Sequence, residues 1–133
     1  MLKVIFIAAS IYAGPYEAQV VEVIDGDNVK VEAAAWPGVE MHVSVRIRGI
    51  DAPETWRPKC ERERALGEAA TEFVTAWVGE TVVLRNVSEG KFAGRVIADV
   101  WKDGENLGDV LVREGHARAY DGGKRPNWCE PSP

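Results

Sequence analysis

The sequence lacks any apolar run long enough to cross a membrane. The longest apolar-biased stretch, residues 4–13, is interrupted by Ser10, and a transmembrane helix needs roughly 20 apolar residues. The stretch follows Lys3, and a positive residue before a short apolar segment is typical of an export signal. We therefore predict residues 1–17 to be a signal peptide or a disordered segment, and the protein to be secreted or periplasmic. The alternative is a buried first strand or a frayed tail.

Cysteine is scarce as well, because the chain has only Cys60 and Cys129. Two cysteines so far apart do not form a zinc motif of the C-x-x-C type. A disulfide between them is the prediction, since such bridges are common in exported proteins. It would tie the C-terminal tail to the loop before the main helix. Two buried free thiols are the alternative.

An excess of basic residues is also absent. The chain has 16 Lys and Arg against 21 Asp and Glu, a net charge of −5, which argues against a broad basic face for nucleic acid. Any positive charge used for binding must be local. With 133 residues, 46% hydrophobic and 28% charged, the composition is that of a folded globular protein. We predict one domain over residues 18–133, with a monomer as the default state.

Periodicity predicts a small α+β fold. Apolar residues alternate with polar ones in five short segments, and in residues 61–77 they recur at helical spacing. A turn at residues 25–27 predicts a hairpin, Asn106 is a candidate helix cap, and Gly79 and Gly115 are candidate helix ends. The pattern favours a five-stranded barrel of the OB type with a main amphipathic helix and a short second helix. The strands are expected at residues 19–24, 28–31, 41–48, 81–87 and 95–101.

Acidic residues cluster at two turns of this predicted barrel. Asp27 ends the Asp-Gly-Asp turn, and Asp51 opens the Asp-Ala-Pro-Glu-Thr segment that also contains Glu54. Carboxylates at neighbouring strand ends suit hard cations such as Ca²⁺ or Mg²⁺. Asp and Gly are also common in hairpin turns, so the Asp-Gly-Asp motif taken alone favours a structural role. Arg46 and Arg48 are predicted to share one strand face, opposite Val45 and Ile47.

Four separated motifs together resemble the staphylococcal nuclease (thermonuclease) family. They are VIDGDNV at residues 23–29, RIRGIDAPET at 46–55, GR at 94–95 and LVREG at 111–115. Their order and spacing match this family across residues 18–120. The resemblance implies an OB-type barrel and a calcium-dependent phosphodiesterase acting on DNA and RNA, with single-stranded or unwound substrate preferred. It implies neither a membrane partner nor sequence specificity.

The resemblance also implies roles for individual residues. One Ca²⁺ ion would be bound by the side chains of Asp27 and Asp51 and by the backbone carbonyl of Ala52. The family usually has Thr at the last position, and a carbonyl ligand tolerates alanine.

The same comparison implies a catalytic set beside the metal. Glu54 matches the general base, while Arg46 and Arg95 match the two phosphate-binding arginines. Two planar guanidinium groups suit the charge that develops when water attacks a phosphodiester. Tyr120 is a candidate base-stacking residue, with a core or rim position as the alternative.

Three departures from the family pattern leave an alternative function open. Asn28 stands where Thr is usual, Ala52 replaces Thr, and residues 92–93 replace a Lys-Tyr pair of the best-known member. A catalytically weak or inactive module that binds nucleic acid or protein is the second hypothesis. Lys124 and Arg125 are interpreted as a solvated tail, with contact to flanking phosphate as the alternative. The five tryptophans are interpreted as core or rim packing.

Overall fold

The computed structural model describes residues 11–131 and contains a closed five-stranded barrel. The barrel strands are β2 (Tyr16–Asp25), β3 (Asn28–Trp36), β4 (Val39–Ile47), β6 (Thr81–Glu89) and β7 (Arg95–Lys102). The other elements are β1 (Ile11–Tyr12), β5 (Ile50–Asp51), α1 (Glu61–Val78), β8 (Glu105–Asn106), α2 (Leu107–Arg113) and β9 (Arg118–Ala119). The predicted α+β barrel of the OB type, with one long and one short helix, is confirmed.

The barrel closes through one parallel and four antiparallel pairings. The strands follow the order β6-β2-β3-β4-β7, and β7 pairs back to β6. Only β4 and β7 run parallel, and the chain between them contains α1. The short β5 pairs with β9 in a separate two-stranded sheet, which brings the residues after α2 against the segment after β4.

Strand alternation fills the barrel with small and branched apolar side chains. Val45 and Ile47 are buried in the core, whereas Arg46 and Arg48 are partly exposed on the other face of β4. This is the arrangement that the period of two predicts.

Both helices begin and end with recognisable caps. The N-cap of α1 is Cys60, whose Sγ accepts a hydrogen bond from the Glu63 backbone N–H at 3.3 Å, and Gly79 ends the helix with a positive φ of 57°. Asn106 caps α2 by accepting from the Gly108 N–H at 2.9 Å, as predicted. The buried face of α1 includes Val74 and Val78.

The C-terminal tail is held by a disulfide between Cys60 and Cys129, which are 69 residues apart. The predicted bridge is therefore present, and it joins the tail to the N-cap of α1. Neither of the two helices in residues 11–131 combines the length and the hydropathy of a membrane span.

The second strand is longer than predicted, and part of the expected export segment lies in a strand. The expected end of the second strand at residue 31 was wrong, because β3 continues to Trp36 and its last residues pair with β4. Of the expected export segment, Ile11 and Tyr12 form β1 and pair with β6. Residues 1–10 lie outside the described residues, so export and the boundary at residue 17 stay predictions.

Candidate nuclease site

The Asp25–Asp27 turn packs directly against the loop that follows β5. The Asp27 side chain is buried, and its Oδ2 accepts a hydrogen bond from the Ala52 N–H at 3.0 Å. Gly26 lies so close that an added Cβ would be 2.9 Å from the Cβ atoms of both Ala52 and Ala70. Only glycine fits there, and the turn, the loop and α1 are therefore packed into one unit.

The guanidinium of Arg46 contacts both Asp27 and Asp51. Its NH1 lies 3.3 Å from Asp27 Oδ2, and its NH2 lies 3.6 Å from Asp51 Oδ1. Arg46 reaches this position because β4 pairs with β3 in a register that sets it opposite Asn28, just after the turn. Asn28 itself accepts a hydrogen bond from the Ser44 hydroxyl at 2.7 Å. The two predicted ligand carboxylates thus face the same cation.

A buried glutamate on α1 fixes the loop that carries Glu54. Glu63 is 5% exposed, and its carboxylate accepts from the Lys59 N–H at 2.7 Å and from the Glu54 N–H at 3.5 Å. Gly67 faces the same loop, where a Cβ would lie 2.8 Å from the Glu54 carbonyl oxygen. The Glu54 backbone is held while its side chain stays 39% exposed.

Arg95 and Tyr120 line one cavity together with Arg46. The cavity has a volume of about 690 Å³ and also contacts Phe92 and Asp121. The Arg95 guanidinium carbon lies 5.4 Å from the centroid of the Phe92 ring, and within residues 11–131 Arg95 forms no ion pair. An anion entering the cavity therefore meets Arg46, Arg48, Lys91 and Arg95, of which Arg95 is not neutralised by a carboxylate of the described residues.

Two tail residues complete the site, and the sequence interpretation missed both. Arg125 donates from Nε to Asp51 Oδ1 at 3.0 Å and from NH1 to Glu54 Oε1 at 2.8 Å. Trp128 donates from Nε1 to Asp51 Oδ2 at 3.0 Å. The solvated-tail interpretation is thus wrong for Arg125, and Trp128 does more than pack. The predicted disulfide was the available signal, because it joins the residue after Trp128 to the start of α1.

Burial and like charge dominate the electrostatics of the turn. Burial, followed by the hydrogen bond and the charge of Asp27, raises the pKa of Asp25 to about 8. Burial acts to lower the pKa of Arg125, but the hydrogen bonds and charges of Asp51 and Glu54 outweigh it and raise that pKa. The carboxylates of the site are thus crowded enough to need cationic partners.

The donor atoms fit a hard divalent cation. Asp27 and Asp51 offer carboxylate oxygens that already face one positive group, and Ca²⁺ and Mg²⁺ take oxygen ligands of this type together with backbone carbonyls and water. Among residues 11–131, no three Asp, Glu, His or Cys side chains converge as a preformed cage. Any metal here would therefore complete its coordination with backbone oxygen and water.

Comparison with known proteins identifies the family. A family model described as Staphylococcal nuclease homologue matches residues 44–129. The chain belongs to this family. The match includes Arg46, Asp51, Glu54, Arg95 and the tail to Cys129, whereas Asp27 precedes it.

Two curated relatives are similar to this chain over most of its length. Protein ParB of Escherichia coli is 30% identical over 128 residues, which cover 90% of this chain and 65% of ParB. Thermonuclease of Staphylococcus hyicus is 31% identical over 112 residues, which cover 83% of this chain and 62% of the relative. The chain therefore spans a little under two thirds of either protein.

Proposed function

We propose that this protein is a calcium-dependent endonuclease that hydrolyses phosphodiester bonds of DNA and RNA with little sequence specificity. The observation that carries the proposal is the position of Arg46. Its guanidinium contacts Asp27 and Asp51, and the same side chain lines the cavity that contains Arg95. A candidate cation site and an anion site are thus adjacent, as metal-assisted cleavage of a phosphodiester requires.

The arginines and Glu54 account for the chemical step. Arg46 and Arg95 bind the nonbridging oxygens of the scissile phosphate, where negative charge builds as water attacks phosphorus. Glu54 orients this water and accepts its proton, while the bond from phosphorus to the leaving oxygen breaks. Bound Ca²⁺, held by Asp27, Asp51 and the Ala52 carbonyl, would supply further positive charge beside the phosphate.

The cavity supports a preference for single-stranded or unwound substrate. Phe92 and Tyr120 line it beside the two arginines, and aromatic side chains next to basic ones bind unpaired bases irrespective of sequence. The Tyr120 hydroxyl donates to the Gly123 carbonyl at 2.7 Å, which leaves its ring as the part offered to a base. Because the net charge is −5, binding depends on this local cluster.

The disulfide supports a location in an oxidising compartment. Structural disulfides persist in secreted and periplasmic proteins and are rare in the cytosol, and the Cys60–Cys129 bridge is formed. We accordingly propose that the protein acts after export and as a monomer.

Hydrolysis of denatured DNA tests the proposal directly. The wild type is assayed with Ca²⁺, with Mg²⁺ and with chelator, and compared with Glu54→Gln. We expect cleavage with Ca²⁺, none with chelator, and a rate roughly 10²- to 10⁴-fold lower in the variant, because general base catalysis is lost.

A matched variant controls for the loss of one carboxylate. Glu68 is an exposed α1 residue paired with Arg64 at 2.7 Å, and Glu68→Gln is expected to cleave at the wild-type rate. An unchanged rate in Glu54→Gln would refute the assignment of the base. Binding of DNA without cleavage under any metal would favour the noncatalytic module instead.

A further inference from the structure

The two oxygens of the Asp51 carboxylate face different partners. Asp51 is fully buried; its Oδ2 accepts from the Trp128 indole N–H at 3.0 Å, and its Oδ1 lies 3.0 Å from Arg125 Nε and 3.6 Å from Arg46 NH2. Trp128 is itself only 4% exposed. Water cannot easily replace the indole in such a contact. Oδ2 is therefore held by Trp128, while Oδ1 faces the arginines of the site.

An indole N–H is well suited to orienting a carboxylate that binds a metal ion. It is a neutral donor with no acceptor, so it holds the carboxylate without bringing a second positive charge to compete with a metal. Hydrogen-bond partners that orient a ligating carboxylate or histidine typically change metal affinity by 10- to 100-fold when they are removed.

Arg118 and the neighbouring disulfide keep the Trp128 ring in place. The Arg118 guanidinium stacks on it at 4.2 Å from the ring centroid, and Arg118 lies opposite Asp51 in the β5–β9 pair. Arg118 also donates to the Asn127 carbonyl at 3.3 Å. The next residue, Cys129, is bridged to Cys60 at the start of α1. The indole is therefore fixed by a stack, a strand pair and a covalent bond.

We propose that Trp128 is a positioning residue for the metal ligand Asp51. Its N–H occupies Oδ2 and thereby keeps Oδ1 on the side of Arg46, which also contacts Asp27, so that both carboxylates are presented to one divalent cation. The inference rests on the proposed function, which assigns Asp51 as a ligand. It extends the site beyond the barrel, to a residue of the disulfide-held tail.

Calcium binding by calorimetry, without nucleic acid, tests this role in the full chain. Trp128→Phe keeps an aromatic ring for the Arg118 stack but removes the N–H donor. We expect its affinity for Ca²⁺ to be about tenfold weaker than that of the wild type, or weaker still. Circular dichroism at the titration temperature establishes that the variant is folded.

Trp101 provides a matched control within the same chain. Its indole Nε1 is buried and has no hydrogen-bond partner among the described residues, so Trp101→Phe loses an N–H that holds nothing. Its Ca²⁺ affinity is expected to equal that of the wild type. If Trp128→Phe fails to fold, a benzothienylalanine at position 128, which replaces only the N–H by sulfur, takes its place in the titration.

The outcomes separate the two proposals. Weaker Ca²⁺ binding in the position 128 variant alone supports the positioning role. Wild-type affinity in a folded position 128 variant, or an equal loss in Trp101→Phe, overturns the role and leaves the nuclease proposal standing. Absence of Ca²⁺ binding by the wild type overturns the calcium-dependent function and the inference together.

Discussion

Asp51 is approached from two sides that the fold builds in different ways. On the barrel side, Arg46 reaches it from β4, where strand register determines the position of the side chain. On the tail side, Arg125 and Trp128 reach it from a segment without regular structure, anchored by the Cys60–Cys129 bridge. Hydrogen-bonded strands on one side and a single covalent bond on the other thus both serve to place side chains against Asp51. The difference indicates that each side can be weakened without the other.

The largest expected effect concerns the covalent bond. Reduction of the Cys60–Cys129 disulfide should lower the free energy of unfolding by about 4 kcal/mol, because a cross-link over a separation of 69 residues restricts the unfolded chain. Denaturant unfolding with and without reductant measures the change. The double variant Cys60→Ser, Cys129→Ser should have the same free energy of unfolding with and without reductant. Equal stability of the reduced and oxidised wild type would mean that the tail does not depend on its bridge.

Replacing Arg46, on the barrel side of Asp51, should slow DNA cleavage. Arg46→Lys keeps the charge but loses the planar fork, and we expect kcat/KM for DNA cleavage to fall about 100-fold, the usual effect of losing one donor to a developing oxyanion. Arg64→Lys, on the exposed face of α1, should cleave like the wild type. A fall of less than threefold in Arg46→Lys would indicate that its charge alone is needed.

The smallest expected effect is a change in Ca²⁺ affinity on replacing Arg125. Replacement of Arg125 should strengthen Ca²⁺ binding, whereas replacement of Trp128 should weaken it. Arg125 contacts Asp51 and Glu54 as a cation, so it competes with a metal ion for these carboxylates. Because partly exposed ion pairs contribute up to about 1 kcal/mol, Arg125→Gln should bind Ca²⁺ about two- to fivefold more tightly in calorimetry.

Arg113→Gln controls for the loss of one positive charge, because Arg113 is exposed and, within the described part of the chain, forms an ion pair only with its neighbour Glu114. Its Ca²⁺ affinity should stay at the wild-type value. Weaker Ca²⁺ binding in Arg125→Gln would mean that Arg125 supports the metal site, as Trp128 is proposed to do.

The barrel side was largely predictable from sequence, because it depends on local periodicity. Alternation identified the faces of β4, and hence the side of Arg46, without knowledge of any partner strand. The end of β3 was not predictable in this way. Its alanines have little strand propensity, but Trp36 pairs with Val39 and Ala34 with Glu40 across the hairpin, and such pairing overrides propensity.

The tail side was predictable only in part. Its Gly-Gly-Lys-Arg-Pro-Asn sequence is that of a solvated segment, and nothing in its pattern points Arg125 at Asp51. The two cysteines indicated that the tail returns to α1, but not which side chains it would deliver. The buried role of Glu63, which holds the Glu54 loop, was hidden for the same reason. Contacts between distant segments leave no local periodicity.

The parallel β4–β7 pairing has a consequence for how the candidate site assembles as the chain folds. The hairpins β2–β3 and β3–β4 form between neighbouring segments and already bring the Asp27 turn beside Arg46. Arg95 joins them only when β7 docks on β4 across the intervening α1, a long loop closure that makes such pairings slow. The approach of Arg95 to Arg46 therefore reports closure of the barrel, whereas the Asp27 turn and Arg46 are brought together by the hairpins alone.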